Sequence, residues 1–223
     1  MVITPRTISA LMIMYAVHRW QKDKAEEPYW KHPLKVASSM EDEETTVVAL
    51  LHDVVEDYGK VEPHWDGFAE MMGQLRYCDD AFHSALEVCS FLARYGSPID
   101  TNNLERIINA GDKSSLFEGL CKELNFCPAE REALSLLTHD KDKDSYGSYI
   151  KKVSTNLIAT KVKLADLEHN SDVSRLPAQE RKTKDTKKRC RKYRAAMTYL
   201  KCSLEMNFDL EISTPHTLVK KCT

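Results

Sequence analysis

The run VVALLHDVVED, residues 47–57, ends an apolar stretch in one imidazole and three carboxylates: His52, Asp53, Glu56 and Asp57. Adjacent residues of a helix point about 100° apart. His52 and Asp53 therefore meet at one ion only where that ion sits at the helix edge and neighbouring helices complete its shell. Imidazole and carboxylate are the ligands of borderline to hard divalent metals such as Mn, Fe or Zn. Glu56 follows His52 by four residues, and Asp57 follows Asp53 by four, so each pair stacks on one strip of helix surface. Two further residues have the character to complete the shell. One is His32 in PYWKHPLKVA, beside Pro33; the other is Asp166 in KVKLADLEHN, behind the apolar-periodic Leu157, Ile158, Val162, Leu164 and Ala165. An unpaired buried carboxylate costs several kcal/mol, so such an aspartate wants a cation or several donors. A core histidine or a solvated helix end explains any one of these residues singly. The four in this order argue for a metal shell of His32, His52, Asp53 and Asp166.

The chain that must position them has 223 residues, 42% of them apolar and 30% charged, an ordinary globular composition. Glycine and proline are few, and helical spacing prevails over alternation. The expected fold class is all-α. A helix is expected over 7–21, with Ile8, Leu11, Met12, Tyr15 and Ala16 on one face, and another from Pro33, a residue suited to a first helical position. Further helices are expected over 44–56, 81–95, 103–110, 128–137, 145–153, 156–169 and 181–204. Residues 59–126 read as an irregular middle, interrupted by glycines and by Pro63 and Pro98, and 207–223 as a short tail.

A formal net charge of −2 gives no global field favouring nucleic acid or a membrane. No apolar run approaches the ~18 residues of a membrane span. The N-terminal ALMIMYAV stops at His18 and Arg19 without a small-residue cleavage site, so no signal peptide is expected. Seven cysteines without a CxxC pair argue against a disulfide framework or a zinc ribbon, and point to reduced structural thiols in a cytoplasm. The absence of GxxxxGK and GxGxxG leaves ATP or dinucleotide binding by those routes unsupported.

The order His … His-Asp … Asp resembles the HD-domain phosphohydrolase superfamily. Its wording is most similar to the hydrolase domain of RelA/SpoT-type proteins and to the small alarmone hydrolases. AVHRWQKDKAEEPYWKHPLKVA resembles that family's A-H-x-x-Q-x-R-K-x-x-x-P-Y-x-x-H-P-x-x-V-A, ALLHDVVEDYG its A-L-L-H-D-V-V-E-D-T, and KVKLADLEHNSDVSRL its K-L-A-D-R-L-H-N. The two matching blocks are roughly 15–57 and 125–176.

The resemblance implies one HD-type helical bundle over 1–206, with 58–124 an insertion or divergent segment. It implies that His32, His52, Asp53 and Asp166 hold one Mn²⁺, with Fe²⁺ or Zn²⁺ as alternatives. Glu56 and Asp57 would position and activate the attacking water, Asn170 would sit near ribose or base, and Lys24 near the phosphates. The implied reaction is release of pyrophosphate from guanosine 3′,5′-bis(diphosphate). The alternatives are another phosphorylated nucleotide, such as a deoxynucleoside 5′-monophosphate, or a silent nucleotide-binding regulator. A homo-oligomer is compatible with this reading. The chain departs from the pattern at Asp23, where the family has arginine, at Leu167-Glu168 within D-R-L-H-N, and at Val173, where threonine is expected. Asp23 is expected to repel a polyphosphate, so these departures bear on the substrate and not on the metal.

Two other stretches carry less. RKTKDTKKRCRKYR, 181–194, reads as the solvated face of the last helix, since no aromatic interleaving suggests stacking on bases. LTHDKDKDSYGSY, 137–149, holds a second His-Asp pair in an expected loop without apolar flanks, and Lys141 and Lys143 read as solvated. His64, His83 and His216 lack carboxylate companions, and Cys121 and Cys127 lack a nearby base.

Overall fold

A computed structural model of the chain describes residues 1–65, 67–76, 82–139, 142 and 144–213. The fold is all-α: among these residues the only β pairing is an isolated bridge between Lys22 and Pro28.

Helix α1 (Pro5–His18) starts where Thr4 and Thr7 exchange side-chain-to-backbone hydrogen bonds, with Pro5 at the first position. It is buried on every face from Thr7 onward, where its pattern predicts one buried face. The reason lies in its composition: nearly every residue is apolar, and a helix apolar all round belongs inside. Its two buried hydroxyls bond to its own backbone, Thr7 to the Thr4 carbonyl and Ser9 to that of Pro5. In α2 (Lys31–Ser38), Pro33 falls third and not first. The first-turn N–H groups have no intrahelical partner, so proline costs nothing at that position either.

Helix α3 (Glu43–Leu51) is capped by Asp42, whose carboxylate accepts from the Thr45 N–H at 2.7 Å, and is buried from Thr45 to Leu51. The expected continuous helix over 44–56 breaks at His52-Asp53 and resumes as α4 (Val54–Asp57). Asp53 has φ −98° and ψ −10°, in the bridge region that many active-site residues occupy.

The middle of the chain is helical: α5 (Phe68–Arg76), α6 (Phe82–Tyr95), α7 (Thr101–Ile108) and α8 (Lys113–Glu123). Gly59 and Gly111, at φ +86° and +85°, supply left-handed turns before new segments, so the glycines punctuate helices instead of dissolving them. Asp100 and Asp112 cap the helices that follow them. Met71, Leu75, Leu104, Ile107, Leu116 and Leu120 join the same buried cluster as α1 and α3.

The last third comprises α9 (Pro128–Leu137), α10 (Tyr146–Val153), α11 (Leu157–Ser171), a 3-10 turn (Val173–Arg175), α12 (Ala178–Arg181) and α13 (Lys184–Ser213). The helix expected over 181–204 is divided, because the Thr183 hydroxyl accepts from the Thr186 N–H and starts a new helix. That helix runs on into the segment set apart as a tail. Helix α11 packs on α2, α3, α9 and α13, and α2 packs on α3. Three elements distant in sequence therefore meet where His32, His52-Asp53 and Asp166 lie.

No helix of the described residues is long and apolar enough to cross a membrane. Cys121, Cys127, Cys190 and Cys202 are unpaired, and His64 is exposed. Lys141, Lys143, His216 and the side chain of His83 lie outside the described residues.

Candidate metal centre

His32, His52 and Asp53 each offer one ligand atom, all within 4.8 Å of one another. Asp53 Oδ2 lies 3.5 Å from His32 Nε2 and 3.1 Å from His52 Nε2. Asp166 Oδ1 faces the same two nitrogens at 3.1 and 3.8 Å. Ligand atoms about 2.1 Å from a common ion stand roughly 3 to 3.5 Å apart; the edges at 3.1 and 3.5 Å have those dimensions, and the His52–Asp166 edge at 3.8 Å is longer. The break after α3 is what lets adjacent His52 and Asp53 aim at one point.

The state of His52 tests whether a cation fits. Its ring is 2% exposed, and Nε2, though near both carboxylates, is buried without a hydrogen bond. Nδ1 lies 2.7 Å from the Ala49 carbonyl, which can only accept. The Nδ1 proton is therefore committed, and Nε2 is turned toward the centre. A carbonyl or carboxylate holding the far nitrogen is the usual support of a metal-binding histidine.

Both aspartates carry outer partners. The Tyr29 hydroxyl donates to Asp53 Oδ2 at 2.6 Å. Asn170 Nδ2 donates to Asp166 Oδ1 at 2.5 Å, and Lys163 Nζ lies 2.7 Å from Asp166 Oδ2. Burial opposes charge on each member, and neighbours decide the outcome. Burial would lower His52, but Asp53 and Asp166 outweigh it and push it up to about 10. Burial would raise Asp53, but His52 and His32 hold it well below the usual carboxylate range. The Lys163 ammonium and the two histidines do the same for Asp166. Burial and the Asp53 and Asp57 charges drive Tyr29 far upward, so it stays a neutral donor. The shell demands a positive charge, and a proton on His52 can stand in for a metal there.

Glu56 and Asp57 differ in burial. Asp57 is buried, with Gln21 Nε2 donating to Oδ2 at 2.6 Å and the Lys60 ammonium on Oδ1. Gln21 Oε1 in turn accepts from buried His18 at 2.8 Å, which fixes the amide's orientation. Glu56 is partly exposed, with Oε2 3.4 Å from the His139 backbone nitrogen. Both line a cleft of about 490 Å³, whose wall carries the cations Lys22, Lys24, Lys60, Arg175 and Arg189 and the acids Asp23, Asp53 and Asp172 besides Glu56 and Asp57 themselves. A second cavity of about 460 Å³ is bounded by Tyr146, Tyr149, Lys163, Lys192 and Tyr193. Asp53, Glu56 and Asn170 line both, so the shell lies where the two meet.

Every residue assigned from sequence thus borders this region, with differences in detail. Lys24 lies on the cleft wall, exposed. Asn170 reaches the cleft, but its amide also grips Asp166. Asp23 does not face the cleft as a bare charge, because its Oδ2 takes Arg175 Nη2 at 2.6 Å. Glu168 points outward to Lys201 at 3.1 Å, away from the shell. The basic run 181–194 is not only a solvated face: Arg189 and Tyr193 line the cleft, and Lys192 the second cavity.

Sequence reasoning missed His169, whose Nδ1 lies 2.6 Å from that of His32, and with it Gln21, Lys163 and Arg175. The signal for His169 was present, since it follows Asp166 by three residues on the same helix face. No protein-family model matches the chain, nor does any curated protein.

Proposed function

We propose that the chain is a metal-dependent phosphohydrolase of the HD type acting on a nucleotide, with guanosine 3′,5′-bis(diphosphate) the leading substrate and pyrophosphate the group released. The observation that carries this reading is the gathering of His32, His52 and Asp53, with Asp166 Oδ1 3.1 Å from His32 Nε2 and a buried His52 Nε2 without a hydrogen bond, beside a cleft lined by cations and acids alike. A divalent cation in this shell, Mn²⁺ first among the candidates, would polarise a phosphate oxygen and make a water acidic enough to attack near neutral pH.

The chain's own residues supply the rest. Glu56, partly exposed at the junction of the cavities, takes the water's proton. Asp57, with both oxygens occupied, is a fixed negative charge that holds Gln21 and Lys60 on the cleft wall. Lys22, Lys24, Arg175 and Arg189 offset phosphate charge, and Asn170 faces the substrate from the shared wall.

A panel of nucleotides and nucleotide polyphosphates with added Mn²⁺, read by phosphate and pyrophosphate release, tests the proposal. Pyrophosphate release from guanosine 3′,5′-bis(diphosphate) is expected. Turnover of a deoxynucleoside monophosphate in its place keeps the chemistry and replaces the substrate. No product from any nucleotide, or no stoichiometric Mn, Fe or Zn by elemental analysis, overturns it.

A further inference from the structure

Helix α4 is a single turn, and it carries both Glu56 and Asp57. Forming one helical turn fixes several backbone angles for one hydrogen bond, so a turn this short does not hold itself. Its own bond runs from the Asp57 N–H to the Asp53 carbonyl at 2.8 Å. On the core side, buried Val54 and Val55 fasten it. At its C-terminal end the support comes from the middle of the chain. The Tyr58 hydroxyl donates to the Ile108 carbonyl at 2.8 Å and accepts from the Gly111 N–H at 3.2 Å. The Lys113 ammonium donates to the Glu56 carbonyl, one of those that a helix end leaves without an internal partner. Ile108 ends α7 and, with Leu104 and Ile107, belongs to the buried cluster that includes α1. Gly111, at φ +85°, turns the chain between Ile108 and Lys113, so one short loop presents all three groups.

The two attachments are separate. One reaches a side chain just past the turn, the other the main chain of Glu56 itself, and neither touches His32, His52, Asp53 or Asp166. Resting on the proposed role of Glu56 as proton acceptor, we infer that Tyr58 and Lys113 are positioning residues for Glu56. They hold the α4 turn against the loop between α7 and α8, with the Glu56 carboxylate at the junction of the two cavities. Glu56 reaches that junction through its side chain, so a small rotation of the turn moves the carboxylate further than it moves the backbone. Misplacing a reacting group by about 1 Å can cost on the order of 10²-fold in rate. The stretch 58–124, unmatched in the resemblance, thereby sets the geometry of the turn that carries both acids.

The test compares Tyr58→Phe, Lys113→Met and Lys113→Arg with the unmodified protein, all loaded with Mn²⁺. Hydrogen exchange by mass spectrometry over a peptide spanning 54–60 reads the turn without any nucleotide. Steady-state kinetics on guanosine 3′,5′-bis(diphosphate) and equilibrium dialysis of Mn²⁺ read its consequence. In Tyr58→Phe and Lys113→Met the peptide exchanges faster and kcat falls by about 10- to 100-fold, while KM and Mn²⁺ affinity stay as they were. Lys113→Arg keeps a cation for the Glu56 carbonyl and retains both the exchange rate and kcat. Lys113 is exposed, so its two variants carry the test alone should Tyr58→Phe fail to fold. Unchanged exchange, or full kcat despite faster exchange, overturns the inference. So does a KM that rises, or a Mn²⁺ affinity that falls, in step with the loss of kcat, since that is general loosening of the site. An unmodified protein that turns over nothing is a different outcome: it ends the proposed function, and this inference with it, whatever the exchange rates.

Discussion

Lys163 Nζ lies 2.7 Å from one oxygen of Asp166, while the other oxygen faces His32 Nε2 at 3.1 Å. One carboxylate is therefore shared between a lysine on its own helix and the proposed metal shell. In the metal-free protein the ammonium offsets a charge that is 4% exposed; in the loaded protein it is one cation beside another.

Lys163→Met is accordingly expected to act unequally on the two states. Breaking a buried ion pair from one side costs on the order of 3 kcal/mol, reduced here because Lys163 keeps 16% of its side-chain exposure. The metal-free variant should melt well below the unmodified protein, and Mn²⁺ should raise its Tm by more than it raises the unmodified protein's. Thermal melts in EDTA and in Mn²⁺ check this. Equal metal-induced shifts would show that the lysine does not compensate Asp166.

Asp166→Asn keeps the volume of the ligand and removes its charge. Metal at 100 times its Kd stabilises a folded protein by about 2.7 kcal/mol, so the unmodified chain should show a clear Mn²⁺-dependent rise in Tm. The variant should lose that rise together with stoichiometric metal by elemental analysis. Retention of both would remove Asp166 from the shell.

Glu56 and Asp57 are adjacent, yet the proposed function gives them separate tasks. Glu56→Gln should lower kcat by about 10²- to 10⁴-fold, the usual worth of a general base, with Tm and bound Mn²⁺ unchanged. Asp57→Asn weakens the contacts with Gln21 and Lys60 and should lower Tm as well as turnover. A Glu56→Gln enzyme with full kcat would move the proton-accepting role elsewhere.

Much of this site is legible in sequence because ligand chemistry constrains residue type while helical periodicity constrains direction. His52-Asp53 stands out as polar residues at the end of an apolar run, and Asp166 as a carboxylate amid apolar spacing. The break in helix direction at His52-Asp53 is not legible, because Leu51 and Val54 flank it without glycine or proline. The middle of the chain misleads for a related reason: glycines at helix ends and glycines within helices look alike in one dimension. Arg175 and Asp23 could not be paired from sequence, since they lie on separate turns and meet only once α11 packs on α2. Taken singly, Asp23 reads as repulsion; with its partner it is an anchor.

Asp42 gives a pH-dependent check on the helix that delivers His52. Burial would raise its carboxyl, but hydrogen bonds from Thr45 and the nearby Lys161 hold it below the usual value of 3.8. A folded-state pKa below the unfolded one stabilises the native state above the unfolded pKa, and that contribution is lost as pH falls through the folded pKa. Replacing an N-cap aspartate by alanine costs about 1 kcal/mol. Asp42→Ala should therefore be less stable than the unmodified protein at pH 7 by roughly that amount, and the gap should narrow below about pH 4. Asp42→Asn keeps an acceptor for the Thr45 N–H at 2.7 Å but carries no titrating charge. It should retain most of the cap's stabilisation at pH 7 and show none of the narrowing. Urea unfolding at pH 3, 5 and 7 measures all three proteins. A gap between the alanine variant and the unmodified protein that is as wide at pH 3 as at pH 7 would mean that the cap works through its shape alone, without its charge.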